Sequence, residues 1–143
     1  GQSMFEVVIA IFIIAMIMVG IVSISTNSLS NAIFSRNKTL AGKYSQEATE
    51  WLRSEREKDS QIFITKAVGN YCLDSTTLSW SNTDSCTDSE KIPGTIFTRN
   101  LSFTTSQIDG KSIIELTVTT FWNDSRGYHE AKSITNFSDI RER

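Results

Sequence analysis

The chain has 143 residues and a formal net charge of −2. This length leaves room for one small domain beside a membrane-length segment, and not for two domains. The nearly neutral charge excludes a strong electrostatic field, and no basic patch is interleaved with aromatic residues. We therefore predict no specific nucleic-acid partner.

The N-terminal segment is apolar over a membrane length. Between residues 7 and 24 only Gly20 and Ser23 interrupt the apolar side chains. A helix of that length reaches about 27 Å, close to the roughly 30 Å hydrocarbon core of a bilayer. Glu6 lies one turn from the start of this segment. A charge in such a place costs about 2.5–3.5 kcal/mol to insert and is a functional candidate by default.

Gly1 precedes the run QSMFE, which ends at Glu6. This start resembles the processing site of type IV pilins and pilin-like proteins (pseudopilins). The resemblance implies that a prepilin peptidase cuts after Gly1, so that Gln2 becomes the N-methylated first residue and Glu6 the fifth. The usual family start has Phe where this chain has Gln2, although Gln there also resembles some pilins. In a filament, Glu6 would meet the α-amino group of Gln2 of a neighbouring subunit, and this pairing would neutralise an otherwise costly buried carboxylate.

Two other readings of the N-terminus stay open. A cleaved secretory signal accounts for an apolar run, but this chain has no basic region before the run and carries Glu6 within it. A plain single-pass anchor accounts for the length but not for Gly1 or Glu6.

The helical pattern continues beyond the membrane segment. The spacing predicts one helix over residues 3–58, apolar all round in residues 1–25 and amphipathic in residues 26–58. Gly20 and the weak helix formers at 25–28 are where we expect local melting or a bend. The charged residues of the second half indicate solvated faces. Its apolar stripe is formed by Leu29, Ile33, Leu40, Tyr44, Ala48, Trp51 and Leu52.

Residues 59–143 indicate a strand-rich globular head. Alternating apolar residues predict strands over 96–105, 112–122 and 128–137, with Asp109-Gly110 as a hairpin turn and another turn at 123–127. Residues 61–92 are predicted to be mostly loop, with short strands near 71–73 and 78–80. That loop is either a recognition surface or a structural loop that Trp80 anchors to the core. The predicted fold class is α+β, a long helix covered by a small antiparallel sheet, as in the pilin fold.

The second half of the helix carries a further resemblance. Residues 46–56 look like the late helix of pilin-modification-type minor pilins and related pseudopilins, and residues 117–122 are similar, more weakly, to the C-terminal hairpin of that group.

Two cysteines, Cys72 and Cys86, most simply form one disulfide in an extracytoplasmic domain. Closing their loop of about 15 residues is worth roughly 3 kcal/mol in the chain-entropy model. We predict no metal site, no cofactor and no catalytic site, because the thiol spacing is not Cys-x-x-Cys and His129 is the single histidine. We expect His129 to be a surface residue of a strand.

The resemblance implies a polymer subunit without catalysis. Such a chain is held in the cytoplasmic membrane as a monomer. An assembly ATPase and a platform protein then extract it into a filament of pilin subunits on the cell surface. A role in adhesion, motility, DNA uptake or secretion, and major or minor abundance, cannot be read from these residues. The alternative is a membrane-anchored extracytoplasmic binding or sensor domain that does not polymerise.

Overall fold

The computed structural model describes residues 3–80, 83–108 and 111–138. It contains helices α1 (Met4–Lys58) and α2 (Ser60–Lys66), and strands β1 (Gly69–Cys72), β2 (Thr98–Ile108), β3 (Lys111–Asp124) and β4 (Gly127–Ser138). The chain divides into two compact units, Gly1–Asn37 and Lys38–Arg143. The second half of α1 packs against the sheet, so the predicted α+β class is confirmed.

Helix α1 is uninterrupted through the segment in which we expected melting. The hydroxyl of Thr26 donates to the carbonyls of Val22 (3.1 Å) and Ser23 (3.0 Å), so this polar side chain is satisfied by its own helix. At the start of the helix, the hydroxyl of Ser3 accepts from the N–H of Phe5 at 3.3 Å. Low helix propensity over four residues is therefore too weak a signal to end a helix of this length.

The short helix α2 was not predicted, because residues from 61 onward were assigned to a loop. Asp59 is its N-cap, and the carboxylate of Asp59 accepts from the N–H of Ile62 at 2.9 Å. The helix places Phe63 in the core with 1% of its surface exposed. The cap at Asp59 is the sequence signal that could have located this helix.

The four strands form one antiparallel sheet in the order β1-β2-β3-β4. The three longer predicted strands are present, with ends shifted by up to three residues. The short strand predicted near residue 71 is β1, and Tyr71 pairs with Leu101. The strand predicted at 78–80 is wrong, since those residues lie outside the sheet. Asp124 pairs with Gly127 to close the second hairpin, and Gly127 has a φ of 109° that favours glycine. The Asp109-Gly110 turn lies outside the described residues.

The core lies between the second half of α1 and one face of the sheet. From the predicted stripe, Ala48 and Leu52 are fully buried, whereas Leu29 (64% exposed) and Ile33 (50%) are not. The buried face of α1 instead includes two polar residues, Ser45 and Thr49. The cluster comprises Ala48, Leu52, Phe63, Ala67, Tyr71, Leu73, Leu101, Phe103, Ile114, Leu116, Val118 and Phe137.

Candidate functional site

The first part of α1 presents large apolar side chains to the surroundings on every face. Met4 is 86% exposed, Val19 is 72% exposed, and Ile9, the least exposed of the large apolar residues between them, is still 42% exposed. This helix is long and apolar enough to cross a membrane. So much contiguous apolar surface is unfavourable in water. The segment therefore needs lipid or other apolar helices around it, which makes it a candidate membrane anchor.

Glu6 lies in the first turn of α1. Its N–H donates to the carbonyl of Ser3 at 2.9 Å, which fixes the turn. The positive end of the helix dipole favours a carboxylate at this position. Glu6 is exposed among apolar neighbours. The predicted processing residues Gly1 and Gln2 lie outside the described residues.

Cys72 and Cys86 form the disulfide that we expected. The bond ties Cys86, in the segment that follows β1, to Cys72 at the end of β1. A hydrogen bond ties the same residue to β2, because the N–H of Cys86 donates to the side-chain oxygen of Asn100 at 2.7 Å. Cys72 itself pairs with Asn100 in the sheet. The disulfide and this hydrogen bond therefore fasten the irregular segment to two neighbouring strands, β1 and β2.

Two carboxylates lie beside the disulfide. Ligand atoms of Cys72, Asp74 and Glu90 lie within 4.8 Å of one another. The Cys72 sulfur is bonded to Cys86 and so is not a thiolate ligand in this form. Glu90 also accepts from the N–H (2.7 Å) and hydroxyl (2.8 Å) of Thr87. The sequence analysis did not single out Asp74 or Glu90.

Trp80 anchors the loop that follows β1. Its ring stacks on Phe103 with centroids 6.1 Å apart and lies 5.0 Å from the ring of Trp51. Its indole N–H donates to the Glu55 carboxylate at 3.1 Å. Hydrogen bonds from Lys58 and then from Trp80 lower the pKa of Glu55. The predicted anchoring of this loop by Trp80 is therefore confirmed, and a recognition role of the same loop stays a prediction.

Arg99 is a buried cation that the sequence analysis missed. It lies in β2 between the apolar residues Phe97 and Leu101 and is 1% exposed. Its guanidinium donates to the carbonyls of Tyr44 (3.2 Å) and Ser75 (3.2 Å). Burial lowers the pKa of Arg99, and the nearby Glu47 carboxylate opposes that shift. Arg99 thereby joins α1, β2 and the segment after β1.

His129 lies in strand β4 as we expected, but its side chain is only 19% exposed. Its Nε2 lies 3.0 Å from the Asp124 carboxylate, and its ring is 5.2 Å from the ring of Trp122. The N–H of Arg126 donates to the same Asp124 carboxylate at 2.8 Å. The pKa of Asp124 is lowered, mainly by this hydrogen bond from Arg126 and to a smaller extent by the hydrogen bond with His129. The group of residues fixes the β3–β4 hairpin.

Protein-family models, curated protein sequences and solved structures were each searched, and none matches this chain.

Proposed function

We propose that this chain is a structural subunit of a type IV pilus or a pilus-like filament. Its subunits polymerise through the apolar part of α1. The observation that carries the proposal is the apolar part of α1, which is exposed on every face and has one acid, Glu6, in the first turn of the helix, five residues after Gly1. A bare apolar helix of this kind can exchange lipid contacts for contacts with identical helices.

In this proposal, Glu6 sets the register in which neighbouring α1 helices pack. A carboxylate without a partner is costly among apolar side chains, whereas a paired one costs much less. The free α-amino group of Gln2 on a neighbouring subunit is the partner we propose. Separating the two groups leaves each charge unpaired. Every packing register of neighbouring α1 helices that separates them is therefore less stable.

The remaining steps follow from a filament of membrane-derived subunits. A prepilin peptidase cleaves after Gly1, and the new N-terminus at Gln2 is methylated. The chain waits in the cytoplasmic membrane with its head outside, where an oxidising environment maintains the disulfide between Cys72 and Cys86. A platform protein and an ATPase then move it into a filament on the cell surface.

Replacing Glu6 tests the assembly step. We expect Glu6→Gln to abolish incorporation into sheared surface filaments while the protein remains in the membrane fraction. Glu57→Gln is the matched control, because Glu57 is an exposed carboxylate of the same helix outside the apolar segment. Normal assembly of the Glu6→Gln variant would contradict the pairing. A membrane-anchored binding or sensor domain would be indifferent to either change.

The processing step is tested by the N-terminal peptide of surface-sheared material. Mass spectrometry should find a peptide that begins at N-methylated Gln2. A peptide that begins near Thr26 would indicate a cleaved secretory signal. An uncut chain found in the membrane fraction and missing from sheared material would indicate a plain anchor. Either result would overturn the filament proposal.

A further inference from the structure

Strand β4 is a long edge of the sheet. It has 12 residues and stands last in the strand order, and among the described residues no strand pairs with its outer side. An edge strand offers unpaired N–H and C=O groups to another strand. The outer side of β4 is therefore a surface on which a strand can be added.

The side chains of β4 alternate between two faces. Ser133 faces α1, since its hydroxyl lies 3.1 Å from the Thr49 hydroxyl. The opposite face carries charged residues at its centre and apolar residues on either side. Glu130 and Lys132 form an exposed ion pair at 2.8 Å. The flanking residues, Tyr128 (57% exposed) and Ile134 (61% exposed), leave apolar surface uncovered.

This pattern is self-complementary about Ala131. We propose that β4 pairs antiparallel with β4 of a second copy of this chain, with Ala131 at the two-fold axis. Glu130 then lies opposite Lys132 of the second copy, and Tyr128 lies opposite Ile134. Each of these contacts occurs twice, as the symmetry of an isologous interface requires. Opposed charges and apolar pairs of this kind stabilise neighbouring strands.

The charges also select this register. Shifting the strands by two residues in one direction places Glu130 opposite Glu130, and the other direction places Lys132 opposite Lys132. Like charges directly opposite each other destabilise a strand pair. A one-residue shift would bring the outer face of one copy against the α1 face of the other. Among these registers, only the one centred on Ala131 places unlike charges opposite each other.

Strand β4 is not fully packed against α1. A groove of about 510 Å³ lies between α1 and β4. Most of the residues that line it are polar. Gln46, Glu50 and Arg53 line it from α1, and Ser133, Ile134 and Thr135 line it from β4.

The contact is independent of the filament proposal. Two copies joined in this way run in opposite directions along β4. Subunits of one helical filament share one direction, so the contact joins copies that are not neighbours in the same filament. The β4 contact can therefore be present or absent whether or not α1 assembles into filaments.

Charge reversal tests the pairing. Sedimentation of the full chain in detergent should give a dimer whose dissociation constant rises about tenfold or more in Glu130→Lys and in Lys132→Glu. The double variant Glu130→Lys with Lys132→Glu restores every opposed pair and should restore the dimer. Association through α1 would be common to all four proteins. A monomeric wild type, or single variants equal to the wild type, would overturn the proposal, as would a double variant no better than the singles.

Cysteine cross-linking tests the register. A mixture of Glu130→Cys and Lys132→Cys chains should form an intermolecular disulfide faster than either variant alone, because the two positions face each other across the axis. Thr104→Cys mixed with Lys132→Cys is the control, since Thr104 is exposed on β2, two strands away from β4 in the sheet. Equal rates for the test and control mixtures would overturn the assigned register. Peptide mapping under non-reducing conditions verifies that Cys72–Cys86 is intact.

Discussion

The guanidinium of Arg99 lies 3.7 Å from the carboxylate of Glu47, although 47% of the Glu47 side chain is exposed and only 1% of Arg99 is. The anion is therefore largely solvated while the cation is not. The ion pair is long and screened by water on one side, so it offsets little of the desolvation of Arg99. The two carbonyl acceptors, on Tyr44 and Ser75, make the shorter contacts.

The first prediction concerns these unequal contacts. Arg99→Lys should lower the free energy of unfolding by about 1–3 kcal/mol, because one ammonium cannot reproduce the planar fork that reaches both carbonyls. Glu47→Gln should cost less than about 1 kcal/mol, since that side chain is half-exposed. Denaturant unfolding followed by tryptophan fluorescence measures both. Trp80 and Trp122 lie in the head, and Trp51 of α1 contacts Trp80, with ring centroids 5.0 Å apart. A larger loss for Glu47→Gln than for Arg99→Lys would show that the ion pair dominates.

Arg99 also shows where sequence reasoning stops. Alternation over residues 96–105 predicts that Phe97, Leu101 and Phe103 share one face of a strand, and all three are buried. Arg99 belongs to the same row, but a charged residue within an apolar alternation is not read as core, because charges are almost never fully buried without partners. Its partners are backbone carbonyls from distant segments, and no sequence pattern marks those.

The predicted buried stripe of helix α1 is wrong at several positions for a related reason. Apolar spacing placed Leu29 and Ile33 on the buried stripe, yet the head buries α1 only from Ala41 onward. Periodicity reports which face of a helix is apolar and not how far along the helix a partner reaches. Ser45 and Thr49 were overlooked for the converse reason, since their burial depends on hydroxyl partners in the sheet.

The second prediction concerns the disulfide. Replacing both Cys72 and Cys86 with serine should lower the free energy of unfolding by about 2–4 kcal/mol, because the cross-link restricts the unfolded chain. The wild type unfolded in the presence of a reductant should show the same loss. A loss confined to the serine variant would point to the hydroxyl substitutions rather than to the missing bond.

The third prediction concerns acid stability. The pKa of Asp124 is lowered from 3.8, first by the N–H of Arg126 and then by His129. A carboxyl with a lowered folded-state pKa contributes stability above its unfolded pKa and loses it as the pH falls through the folded one. Asp124→Asn should therefore be less stable than the wild type at about pH 6 and equal to it at about pH 2.

Thermal unfolding of both proteins across that range measures the difference. The other carboxyl groups are common to the two chains, so their titration cancels in the comparison. A difference in stability that stays constant with pH would show that ionisation of Asp124 contributes nothing.

The fourth prediction concerns the polar contact between α1 and β3. The hydroxyls of Ser45 and Thr120 lie 2.8 Å apart, and both residues are buried. Ser45→Ala should cost about 1–3 kcal/mol, because it removes that bond and leaves a buried hydroxyl without this partner. Thr120→Val should cost less than Ser45→Ala, because the Ser45 hydroxyl keeps the carbonyl of Ala131 as an acceptor at 3.3 Å. The double variant should cost less than the sum of the two, since apolar groups then face each other.

A double-mutant cycle of denaturant unfolding measures this coupling. Ser54→Ala is the control, because Ser54 is an exposed residue of the same helix, and its change should stay within about 0.5 kcal/mol. Strict additivity of Ser45→Ala and Thr120→Val would mean that the two hydroxyls do not stabilise each other. Their burial would then be a consequence of backbone packing between α1 and β3.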